Sequence, residues 1–65
     1  MFFEVIFDYF ISGYDEAMQY STVIHIAESN DLVEVLNSVI SKCNEIFEIN
    51  NYQEPRIRSI NLINE

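Results

Sequence analysis

Sixty-five residues bound a single domain, 1–65, close to the smallest size at which one hydrophobic core can offset chain entropy unaided. Eleven acids against three bases give a net charge of -8, which disfavours direct binding to DNA or RNA, while 49% hydrophobic content excludes a disordered chain. A single Cys rules out an internal disulfide and a single Gly rules out a glycine-rich phosphate loop.

The first predicted element is a strand over residues 2 to 11. Phe3, Val5, Phe7, Tyr9 and Ile11 point to one face; Phe2, Glu4, Ile6, Asp8 and Phe10 point to the other. The odd face is wholly apolar and is assigned to the core, while the half-apolar even face becomes the back of a central strand. The opening run is not a secretion signal, because it lacks a basic start and carries Glu4 and Asp8 within it. With no bilayer-length apolar stretch either, the expected location is a reducing cytoplasm, the host's if the chain is viral.

Turn chemistry follows over Ser12 to Ala17, and a second strand over Met18 to Ala27 completes a hairpin. Met18, Tyr20, Thr22, Ile24 and Ile26 should join the core face, with Val23, His25 and Ala27 on the back. The spacing of Leu32, Val35, Leu36, Val39, Ile40, Cys43, Ile46 and Phe47 then predicts a helix of about 16 to 18 residues with a broad buried stripe. Asp31, with Glu34 three residues on, resembles a capping box. A loop over Asn50 to Pro55 leads to a third strand over Arg56 to Ile63, with Ile60 and Leu62 assigned to the core and Ile57 and Ile63 to the back. The fold class is α+β, in β-β-α-β order, a three-stranded antiparallel sheet of order 2-1-3 with one helix on one face.

Little in the chain suggests catalysis. One His and one Cys, far apart in sequence, do not make a metal site, and no cofactor motif is present. Cys43 falls on the apolar stripe of the helix, where packing is the ordinary role. His25 has no nucleophile or orienting acid in a recognisable pattern. Glu4 and Asp8 share a face but stand about 13 Å apart along a strand, too far for an acid–base pair. The expected activity is therefore binding of a protein partner, not an enzyme reaction.

Two binding surfaces suggest themselves. The first is acidic: Glu4, Asp8, Asp15, Glu16, Glu28, Asp31 and Glu34 precede any Lys or Arg in the chain and could meet a basic groove that otherwise holds nucleic acid. The second is apolar: Phe2, Ile6, Phe10 and Val23 on the back face would suit a homodimer or a structural partner, and Tyr14 at the turn offers an aromatic anchor. The same carboxylates would also serve simply to keep a small apolar domain in solution. In length, acidity and element order the chain resembles the small phage proteins that disable host defences, anti-CRISPR inhibitors and DNA mimics among them. That resemblance implies stoichiometric inhibition of a nucleic-acid-processing complex, and it carries no residue-level motif.

Overall fold

The computed structural model describes residues 1–63, with the elements β1 (Phe2–Phe10), β2 (Met18–His25), α1 (Leu32–Ile49) and β3 (Gln53–Ile63). Both β2 and β3 pair antiparallel with β1, giving the order β2-β1-β3. The most apolar strand is therefore central, as its alternation requires. Phe3, Val5, Phe7 and Tyr9 are buried, while the residues between them are half-buried on the back.

The turn joining β1 to β2 closes with the Tyr14 N–H donating to the Ile11 carbonyl at 3.0 Å. Gly13 sits at φ +91°, which a side chain would strain. Ile11 is outside β1 and exposed. Beyond β2, Ile26 remains in the core because its N–H donates to the Met1 carbonyl at 2.8 Å, which extends the ladder by one step. Ala27, assigned above to the back of β2, lies past the end of the strand.

Asp31 caps α1: its carboxylate accepts from the Val33 and Glu34 N–H groups at 3.0 and 3.3 Å. The reciprocal half of a capping box is supplied not by Glu34 but by Ser29, whose Oγ accepts from the Asp31 N–H at 3.1 Å. At the other end Asn51 adopts φ 54°, with Asn51 N–H donating to Glu48 and Tyr52 N–H to Phe47. This paired arrangement turns the chain off the helix and sets Tyr52 against Phe47.

Only one row of the helix is fully buried: Val35, Val39, Cys43 and Phe47, each four residues apart. Leu32 is 67% exposed and Ile40 40%, so the broad stripe expected from the sequence is narrower in the fold. The uncovered corners of the sheet show why. On the helix-facing side Ile24 of β2 and Ile26 just beyond it are buried at one end, and Phe7, Tyr9, Phe47 and Tyr52 form an aromatic cluster at the other. Met18 and Tyr20 at one corner and Leu62 at the opposite corner stay exposed, as expected of a helix laid diagonally across three strands.

The third strand departs most from the sequence reading. It starts at Gln53, not Arg56, and it slips register against β1 twice, between Ile6 and Phe7 and between Asp8 and Phe10. The first slip is a β-bulge at Arg58: Val5 faces Ile60 and Ile6 faces Ser59, but Phe7 faces Ile57. One extra residue reverses the faces on either side of it. Ile57 is therefore packed against the core together with Ile60, which corrects its assignment to the back. Leu62 is on the core-facing side opposite Phe3 but remains 59% exposed, and Ile63 lies on the back opposite Phe2.

Candidate protein-binding surfaces

The strand register fixes what the back face presents, row by row. His25, Phe2 and Ile63 form one end; Val23, Glu4 and Asn61 come next; Ser21, Ile6 and Ser59 lie across the middle; Gln19, Asp8 and Arg56 follow. Phe10 closes the series beside Gln53. Phe2 and His25 hold their rings 4.6 Å apart. Among the described residues no second layer covers this face, and Phe2, Ile6 and Phe10 are half-buried only by their neighbours in the sheet. The apolar residues expected here are thus brought to one face, with Val23 57% exposed, but polar rows interrupt them.

Asp8 is not a free carboxylate. The Arg58 Nε donates to its Oδ2 and the Gln19 Nε2 to its Oδ1 at 3.3 Å. The hydrogen bond from Arg58 and the nearby guanidinium charges hold its pKa below the ordinary 3.8, with desolvation opposing them. Arg56, opposite Asp8, and Glu54 line the same small cleft. The back face therefore carries Glu4, Asp8 and Glu54 with both arginines of the chain, and is close to electrically balanced.

The remaining carboxylates stand elsewhere. Asp15 and Glu16, with the exposed Tyr14, occupy the turn beyond the Tyr9–Met18 end of the hairpin. Glu28, Asp31 and Glu34 occupy the opposite end, beyond Phe2 and His25. Nine residues of strand separate the two groups by about 30 Å. The molecule is 42 Å long, and the seven carboxylates singled out from the sequence do not converge. Two that the sequence reading passed over, Glu45 and Glu48, join them on the helix. A helical projection would have shown it: Glu34, Lys42, Glu45 and Glu48 all fall within about a third of the circumference. The loops and helix thus hold Asp15, Glu16, Glu28, Asp31, Glu34, Glu45 and Glu48 against Lys42 alone.

Other chemistry is sparse. Cys43 is buried, and burial pushes its thiol above the usual 9.0. Tyr52 stacks on Tyr9 with ring centres 3.7 Å apart, and burial foremost raises its phenol. Among the described residues no three metal-ligating side chains converge, and no buried side-chain polar atom lacks a partner. Among the described residues no helix is long and apolar enough to cross a membrane. Comparison with protein-family models, with curated proteins and with solved structures found no match for this chain.

Proposed function

We propose that this chain is a non-catalytic, protein-binding inhibitor or regulator that presents the acidic helix-and-loop side to a basic, nucleic-acid-binding surface of a partner. The observation that carries the reading is the segregation of charge: both arginines are drawn to the sheet's back face, leaving seven carboxylates opposed by Lys42 on the helix and in the loops at the two ends of the molecule. Spread over a molecule 42 Å long, they would lie along a length comparable to about 12 base pairs, at about 3.4 Å per phosphate on each strand. Charge of one sign displayed in this way steers association with a surface of the opposite sign and strengthens at low salt. The reading is tested by capturing partners from the native host at low salt and at about 0.5 M, where exposed charges are screened. Release of the captured protein by salt and by added duplex DNA is expected; retention against both would contradict the reading.

A second reading follows from the uncovered back face, with Phe2, Ile6 and Phe10 along the central strand. In it the chain is a structural adaptor or homodimer joined through those side chains. Capture would then survive salt and be lost in Ile6→Lys.

A further inference from the structure

A different surface, independent of the charge argument above, lies along β3. The helix row Glu34, Ser38 and Lys42 faces β2, where it lines a cleft with His25 to Ser29. The parallel row on the other flank is Leu32, Leu36 and Ile40, which therefore overhangs the β3 side. Beside it stand Val33 and Asn37, and the row continues through Asn44 to Glu48, so it is the stretch from Leu32 to Ile40 that carries no charged side chain in a protein of net charge -8. Below it, at the uncovered corner of the sheet, is Leu62.

β3 is also an edge strand, and only half of that edge is protected. Residues 53 to 58 contain both register slips, Pro55 and two arginines, all of which oppose lateral pairing. Residues 59 to 63 contain none of these and pair regularly with β1. The other edge, β2, has carboxylates beyond both ends: Asp15 and Glu16 at one, Glu28 and Glu34 at the other.

We infer that the Ser59–Ile63 edge, with the Leu32–Leu36–Ile40 flank above it, is the seat of a second copy of this chain. The two β3 strands pair antiparallel about a two-fold axis through Asn61, making one six-stranded sheet. The register is self-complementary. On the helix side each Ile60 meets the other copy's Leu62, on the back each Ser59 meets Ile63, and no charge of either sign is brought against its like. A copy of the same chain brings an apolar flank to match this one, whereas a basic partner would find, among the described residues of this edge, the carboxylate of Glu4 alone, in the row beside Asn61. A standard interface takes about 800 Å² from each partner, about a sixth of the 4883 Å² this chain exposes. Association of two copies follows mass action, so the pairing is concentration-dependent.

The test is sedimentation of the purified chain over a range of concentrations, with two substitutions. The mass should rise from 7.7 kDa toward twice that, and Leu62→Lys should hold it at the monomer value, whereas Ile6→Lys on the back face should leave the dimer intact. Should Leu62→Lys fail to fold, Asn61→Cys decides. Opposed residues of an antiparallel pair have Cα atoms about 4.5 to 5.5 Å apart, within disulfide reach, so mild oxidation should link two copies through position 61. Ser21→Cys on β2 should not link. A chain that stays monomeric at every concentration, a dimer abolished by Ile6→Lys but not by Leu62→Lys, or equal linking at positions 21 and 61 overturns the inference.

Discussion

Arg58 of β3 donates to the carboxylate of Asp8 on β1 because a bulge at Arg58 lets its side chain reach the back face. Asp8 was one of the carboxylates expected to face a partner; in the fold it is committed to a neighbour. Its lowered pKa fixes the sign of a pH dependence. A carboxyl whose folded pKa lies below its unfolded value contributes stability that is present above the unfolded value and lost as pH falls through the folded one. Wild type should therefore lose more stability than Arg58→Ala on going from neutral pH to below the ordinary 3.8. Urea unfolding at the two pH values measures the difference.

Phe7 is fully buried and lies at the centre of the aromatic cluster, its ring centre 4.9 Å from that of Phe47 and 5.9 Å from that of Tyr52. Phe7→Ala should cost about 3–5 kcal/mol. Small domains have little more than that in total, so circular dichroism should find the variant largely unfolded at room temperature.

The carboxylate of Asp31 has a structural duty separable from any binding one. Asp31→Ala should lower stability by about 1 kcal/mol through loss of the cap, whereas Asp31→Asn, which keeps a capping oxygen, should cost less. If partner affinity falls equally in both while stability does not, the charge of Asp31 contributes to recognition.

Cys43 is 1% exposed and its thiol is held above the usual 9.0 by burial. It should resist alkylation at neutral pH in the folded chain and react promptly in denaturant. Rapid reaction of the native protein would contradict the packing of α1 on the sheet.

Much of this fold was legible because alternation in β1 and the four-residue spacing in α1 are strong signals. They place Phe3, Val5, Phe7, Val35, Val39, Cys43 and Phe47 in one core. The order β2-β1-β3 followed from putting the most apolar strand in the centre. What could not be read was the bulge at Arg58, since an inserted residue leaves no mark in the alternation except to invert it. Ile57 was misplaced for that reason, and the Arg58–Asp8 pair was not foreseen. The start of β3 was hidden by Glu54 and Pro55, which look like a loop but sit opposite Tyr9 at the second slip. The exposure of Leu32 and Ile40 depends on how the helix lies across the sheet, which no local pattern records. Of the surfaces, the parity of β1 correctly grouped Phe2, Ile6 and Phe10, but the balancing of the back face by Arg56 and Arg58 needed the fold.

The segregation of charge is tested most directly by reversing it on one side only. Glu34→Lys, Glu45→Lys and Glu48→Lys together change the helix surface at exposed positions, and Ile6→Lys changes only the back face. Binding of each to the captured host protein should be measured at low salt, with the fold checked by circular dichroism. The triple variant should fold and lose binding while Ile6→Lys retains it; the opposite pattern, with binding kept by the triple variant and lost in Ile6→Lys, would place recognition on the apolar back face instead.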